Sequence, residues 1–335
     1  MTNLLEVVDL RTSFDTERGT VTAVDGASFT VAPGEVVGIV GESGCGKSVT
    51  AESILQLLDP ASTTYSGQVR FGGEDLLTFG ETAMRRIRGN RISMIFQDPM
   101  SALNPVFTIG DQLTEAILAH RRIGKQRARS EATELLEKTG IPEPQRRMRQ
   151  YPHQLSGGQR QRVMIAMALS CDPELLIADE PTTALDVTTQ SQILKLLIEL
   201  KDEFDAGILF ITHDLGVVAE ICDRVVVMYL GEVVESANVH TLFDSPAHPY
   251  TRGLLASTPD IASDPSIDLP IIPGTVPTLH NVPVGCRFAD RCSFVLPECR
   301  DRPIDLEVLS DGHSSRCIRS VKLFEDSAMS DGVAR

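Results

Sequence analysis

Four short stretches of the chain are apolar almost without interruption: Val36–Val40, Leu175–Ala178, Ile208–Ile211 and Val225–Tyr229. Runs of this length with no polar alternation predict strands buried on both faces, as in a parallel sheet covered by helices. Ahead of the first run, residues 1–40 are β-rich, with apolar alternation through Val21–Val31 broken by Gly and Pro. Helical spacing follows at Val49–Leu58, Ile109–Leu118, Arg127–Lys138 and Thr188–Glu203, and in a run from Gln159 to Leu169. Strand, helix, strand over residues 175–211 implies parallel strands joined by a crossover helix. Beyond about residue 241 the periodicity dissolves. Ten of the 19 prolines lie between Pro246 and Pro303, which predicts a turn-rich appendage, and residues 325–335 read as a polar tail.

Charge divides the same chain differently. The 335 residues carry 31 basic and 46 acidic groups, a formal net charge of −15. Residues 82–162 run the other way, with 15 basic against 7 acidic. That segment reads as a basic helical insertion in an acidic protein, or simply as a solvated face. The overall acidity argues against a nucleic-acid partner, which calls for a dominant basic surface. No apolar run approaches the roughly 20 residues that span a bilayer. The start, Met1-Thr-Asn-Leu-Leu-Glu6, has no basic segment followed by a long apolar one, so no secretory signal is expected. Seven cysteines, an odd number in a chain this long, point to a reducing compartment.

The chemistry centres on Gly41-Glu42-Ser43-Gly44-Cys45-Gly46-Lys47-Ser48, which fits G-x-x-x-x-G-K-[ST] between a buried strand and a helix. Glycines let successive N–H groups wrap phosphate oxygens, and the following helix N-terminus favours an anion. Lys47 is expected on the β- and γ-phosphates and the Ser48 hydroxyl on Mg²⁺. Such a site needs a carboxylate for the metal. Asp179 closes the apolar run at Ala178, at the strand end where open α/β sheets bind ligands. Glu180 follows and is suited to polarise an attacking water. Leu155-Ser156-Gly157-Gly158-Gln159, ahead of a helix, forms a second anion site by the same physics. Two such sites in one chain make sense if the second closes on the γ-phosphate held by another subunit.

With these residues in place the chain resembles the ATP-binding subunit of an ABC transporter. Gly41–Ser48 looks like its Walker A, Gln97 its Q-loop, Leu155–Gln159 its signature and Leu175–Asp179 its Walker B. Glu180 looks like the catalytic glutamate, residues 184–186 the D-loop ending in Asp186, and His213 the switch histidine; Phe14 sits where the family stacks an aromatic on adenine. Stretches around Ile95–Pro105, His248–Leu255 and Ile272–Pro277 are similar to the oligopeptide/dipeptide importer branch, and Val163–Leu169 with Ala178–Asp186 to its D-type ATPase subunit. Cys45 stands where this branch more often has serine, and Gln159 where D-type subunits often have methionine.

The resemblance implies an α/β P-loop NTPase with a RecA-like core, an N-terminal antiparallel β subdomain, a helical insertion and a C-terminal cysteine-bearing appendage. The nucleotide-binding domain would cover residues 1–240, with the helical subdomain at about 98–165, the importer-type extension 241–320 and the tail 321–335. ATP would contact Phe14, Gly41–Val49, Gln97, Asp179 and Asp186, together with Ser156, Gly157, Gly158 and Gln159 acting across a dimer. Mg²⁺ would be held by Ser48, Gln97 and Asp179, and hydrolysis would use Glu180, His213 and Gln97. The implied partners are a second, homologous but different ATPase subunit, two transmembrane permease subunits and an extracytoplasmic solute-binding protein. The implied place is the cytoplasmic face of the inner membrane, as a peripheral subunit. The implied solute is a peptide, with nickel, glutathione or another small solute as the alternative.

Cys286, Cys292, Cys299 and Cys317 remain. Four thiols on a turn-rich segment match the donor number of a zinc ion or a 4Fe–4S cluster, although the usual C-x-x-C pairs are missing. Free or disulfide-linked thiols stay open as readings. The importer resemblance implies the 4Fe–4S cluster. Cys171 and Cys222 read as small buried apolar side chains.

Overall fold

The computed structural model describes residues 3–98, 102–183, 185–258 and 270–320; the expected polar tail at 321–335 lies outside them. In chain order the strands are β1 (Leu5–Thr16), β2 (Gly19–Val31), β3 (Val36–Val40), β4 (Thr63–Phe71), β5 (Glu74–Asp75), β6 (Ile92–Ile95), β7 (Leu175–Asp179), β8 (Gly207–Thr212), β9 (Arg224–Tyr229), β10 (Glu232–Asn238), β11 (Glu307–Ser310) and β12 (His313–Ser315). The helices are α1 (Lys47–Ile54), α2 (Glu81–Ile87), α3 (Ile109–His120), α4 (Lys125–Lys138), α5 (Pro144–Arg147), α6 (Gly157–Ala168), α7 (Val187–Phe204), α8 (Leu215–Ile221), α9 (Val239–Asp244) and α10 (Pro249–Ala256). All four apolar runs of the sequence are strands, and the helices predicted near 109, 127, 159 and 188 are α3, α4, α6 and α7.

The chain divides into two units, each built from separated stretches. The first comprises residues 1–5, 31–35 and 71–211. Its sheet has β6, β7 and β8 side by side and parallel, with Ile92 opposite Leu175 and Leu175 opposite Gly207. Every residue of β7 and β8 is buried, as continuous apolar strands require. α3 and α4 pack together. α3 presents Ile109, Leu113 and Ile117 on one stripe, and α4 presents Ala128, Ala132 and Leu136, where two small side chains allow the close approach. Thr108 begins α3 by accepting the Asp111 N–H at 3.2 Å.

The second unit comprises residues 6–30, 36–70 and 212–335. One sheet orders β2, β1 and β4. In the other, β3 runs parallel to β9, and β9, β10, β12 and β11 follow as antiparallel neighbours. The appendage is therefore more regular than its sequence suggests. It contributes α10 and the hairpin β11–β12, which joins β10 with Glu235 opposite Ser315. Periodicity could not show this, because His313-Ser-Ser315 has no apolar residue and Val308 is 79% exposed.

Candidate nucleotide site

The phosphate loop lies in the second unit. β3 is entirely buried and ends at Val40, and Gly46 starts α1 in the left-handed region with φ 102°. A Cβ at Gly46 would stand 2.6 Å from the Ala23 carbonyl oxygen, so glycine is required by both conformation and space. Lys47 is only 5% exposed, and its Nζ donates to the Gly41 oxygen at 2.7 Å and the Glu42 oxygen at 3.1 Å. The ammonium is thus folded into the mouth of its own loop. Ser48 and Val49 are half-buried in the first turn of α1, while Ser43 and Gly44 are exposed. Cys45 points inward, and burial pushes its thiol up, so at neutral pH it is a packed thiol. Phe14 is half-buried on β1. His213 is exposed just beyond β8, ahead of α8, which Asp214 caps by accepting the Gly216 N–H at 2.9 Å.

The remaining predicted residues lie in the first unit. Asp179 is buried at the end of β7. Glu180 follows with φ +45°, a conformation that costs energy for a side chain other than glycine and is often found at working sites. Its N–H donates to Ile211 O at 2.9 Å. Its carboxylate accepts from Gln97 Nε2 at 3.0 Å and from the Thr183 hydroxyl at 2.9 Å. With its amide nitrogen so engaged, Gln97 keeps a carbonyl oxygen for a cation. An amide oxygen of this kind, like the Asp179 carboxylate in the same unit, is a donor type that suits Mg²⁺.

In the same unit Ser156 is exposed and caps α6. Its Oγ accepts the Gln159 N–H at 3.3 Å while Gln159 Oε1 accepts the Ser156 N–H at 3.2 Å. Gln159 thus closes a capping box. Gly158 faces Thr189, whose methyl group would lie 2.8 Å from an added Cβ. Asp186 accepts both the N–H and the hydroxyl of that same Thr189, at 3.0 and 2.8 Å, as the N-cap of α7. The Thr189 N–H is the main reason its carboxyl lies below the ordinary range. Gly157 is exposed ahead of this contact.

Sequence reasoning missed three residues. Tyr250 on α10 accepts the Glu42 N–H through its hydroxyl at 2.8 Å. Arg291 binds the Glu42 carboxylate with two nitrogens, at 2.6 and 2.9 Å. Arg287 pairs with Asp25 and with Glu232. All come from the appendage, where arginines spaced four apart between cysteines give no local sign of their partners.

The expected metal site at the four late cysteines is not formed as a ligand cage: among the described residues no three His, Cys, Asp or Glu side chains are grouped so as to hold a metal ion. Yet Cys286, Cys292, Cys299 and Cys317 all line one narrow cavity, with His248, Phe288 and Ile304, and none is in a disulfide. Burial pushes the Cys286 thiol up to about 12 and the Cys317 thiol to about 11, and neighbouring cysteines add to both.

A glycine-shaped phosphate loop between a buried strand and the helix it opens defines a P-loop nucleotide-binding protein. The comparisons with known proteins narrow the class. The ABC transporter family profile matches residues 24–183, and that of the oligopeptide/dipeptide transporter C-terminal region matches residues 234–299. A probable peptide ABC transporter ATP-binding protein of Sinorhizobium fredii is 54% identical over 95% of each chain. The oligopeptide transport ATP-binding protein AppD of Bacillus subtilis is 51% identical over 95% of this chain and 97% of its own. The dimeric bacterial ABC transporter cassette MJ0796 superposes with a TM-score of 0.63 at 29% identity, over 70% of this chain and 98% of that one. A second structure of MJ0796 is a post-hydrolysis state with ADP and phosphate bound. The chain belongs to the ATP-hydrolysing subunits of oligopeptide/dipeptide-type ABC transporters. Among the described residues no helix is long and apolar enough to cross a membrane.

Proposed function

We propose that this subunit hydrolyses ATP to drive the import of peptides. The relatives named for peptide or oligopeptide transport favour that solute class over nickel or glutathione. Within the site, Gly41–Ser48 binds the triphosphate, with Lys47 on the β- and γ-phosphates and Phe14 on adenine. Ser48, Gln97 and Asp179 would hold Mg²⁺, whose contribution is to offset phosphate charge. Glu180 orients the attacking water, and Gln97 and Thr183 hold that carboxylate in place. His213 assists at the γ-phosphate. Ser156, Gly157, Gly158, Gln159 and Asp186 act across the interface with a second, homologous ATPase subunit, a heterodimer. Closure of that dimer moves two permease subunits at the cytoplasmic face of the membrane, with a solute-binding protein delivering the peptide. Exposed apolar side chains between β6 and α3 support a permease contact in that segment: Phe96 is 40% exposed, Val106 70% and Phe107 49%.

The observation that carries the hydrolytic reading is Glu180 itself, strained at φ +45° with its carboxylate fixed by Gln97 and Thr183. In the assembled transporter, Glu180→Gln is expected to retain ATP binding and lose turnover by about a hundredfold or more. Hydrolysis at the wild-type rate in that variant would remove Glu180 from the catalytic role.

The appendage from 241 to 320 is proposed as a domain of its own, beyond a nucleotide-binding domain at 1–240 with its helical subdomain at about 98–165. The convergence of four thiols on one cavity supports a 4Fe–4S cluster, with zinc as the alternative. Iron and acid-labile sulfide in equal amounts after anaerobic purification are expected; iron-free protein carrying one zinc would overturn the cluster.

A further inference from the structure

The phosphate loop contains a carboxylate. Glu42 is its second residue, and a triphosphate bound there brings several negative charges close to it. Like charges a few ångströms apart repel by about 4 kcal/mol at the effective dielectric of a protein surface, so a bare carboxylate in this loop would weaken the ligand. Glu42 is not bare. The Arg291 guanidinium grips both carboxylate oxygens, at 2.6 and 2.9 Å. That guanidinium is itself fixed. Its Nε donates to Pro273 O at 2.9 Å, it lies 5.8 Å from the Tyr229 ring centre and 5.9 Å from that of Phe288, and the side chain is 5% exposed. The Glu42 N–H donates to the Tyr250 hydroxyl at 2.8 Å. A planar fork over aromatic rings, matched to a carboxylate, is a task for arginine and not for lysine.

We propose that Arg291 and Tyr250, which come from the appendage, are positioning residues for the ATP site: Arg291 neutralises Glu42, and the two together set the conformation of the phosphate loop. The cysteine-bearing extension is on this view a working part of nucleotide binding. The inference rests on the reading that Gly41–Ser48 binds ATP. Arg291 does not touch the nucleotide. Its effect belongs in ATP affinity, while turnover at saturating ATP is set elsewhere.

The test is a double-substitution cycle on the full-length chain, with MgATP as the probe by calorimetric titration and the KM against kcat split measured in the assembled transporter. Arg291→Ala is expected to raise the Kd for MgATP on the order of tenfold and KM in parallel, with kcat within about twofold of wild type. Combined with Glu42→Gln it should bind within about twofold of Glu42→Gln alone, because no charge is left to neutralise. Arg291→Lys keeps the charge without the fork and should fall between. Unchanged affinity in Arg291→Ala, or a double variant as weak as the single one, would overturn the proposal. If Arg291→Ala does not fold, the same cycle is read from Arg291→Lys, where affinity insensitive to the Glu42 substitution overturns it equally. A wild-type chain that binds no MgATP would instead sink the nucleotide reading on which it rests.

Discussion

At the scale of single residues, His248 shows how burial turns an ordinary side chain into a determinant of pH stability. It is 1% exposed, and its Nδ1 accepts the Tyr250 N–H at 3.1 Å, which places the ring proton on Nε2. Burial is the main reason its pKa falls from 6.5 to about 4; the nearby Arg316 pushes the same way and Glu235 opposes it. The folded value lies below the unfolded one, so the unfolded chain binds the extra proton first. The stability this group contributes is present above pH 6.5 and is lost as pH falls through about 4, a change of about 3 kcal/mol. His248→Asn keeps a helix-capping side chain without the titration. Urea unfolding between pH 7.5 and 4.5 is expected to give a visibly flatter acid limb for the variant; parallel limbs would show that His248 is not the group responsible. In sequence this histidine stood in a family stretch with no assigned role. Glu180, by contrast, was legible as the residue that follows an apolar run and its acidic end, whereas Gln97 came only from the resemblance of its stretch to the family.

At the scale of elements, one carboxylate ties the appendage to the sheet. Glu235 on β10 is fully buried and accepts from the Ala247 N–H at 2.7 Å, the His248 N–H at 2.9 Å and His313 Nε2 at 2.9 Å. It therefore joins β10, the start of α10 and β12. Glu235→Ala would strand two buried N–H groups and the imidazole, and a loss of about 3–5 kcal/mol is expected in chemical denaturation. A loss under about 1 kcal/mol would mean that the hairpin and α10 dock without it. Strand existence was plain for β3, β7, β8 and β9, whose uninterrupted apolar runs have no other stable home. It was hidden for β11 and β12, which pair through backbone and polar side chains and leave no period of two in apolar positions. Helix starts show the same contrast. The Ser156–Gln159 box follows a local spacing rule, whereas the engagement of Thr189 by Asp186 opposite Gly158 needed the folded first unit.

At the scale of the molecule, the formal charge of −15 conceals a basic segment at residues 82–162, and the odd cysteine count conceals a split. Cys45, Cys171 and Cys222 are isolated buried thiols, while the other four meet at one cavity. By itself the sequence determined the phosphate loop with the apolar strand before it, the other apolar strands, and the acidic pair at the end of β7. These depend on residues within a few positions of one another, where glycine conformation, apolar periodicity and strand-end placement act directly. Only the tertiary structure decided that Arg291 neutralises Glu42, 249 residues away, that Glu235 gathers three donors, and that four thiols separated by unequal gaps share one cavity. Those contacts depend on which surfaces the docked appendage brings into reach, and an arginine or a cysteine carries no local pattern that names its distant partner.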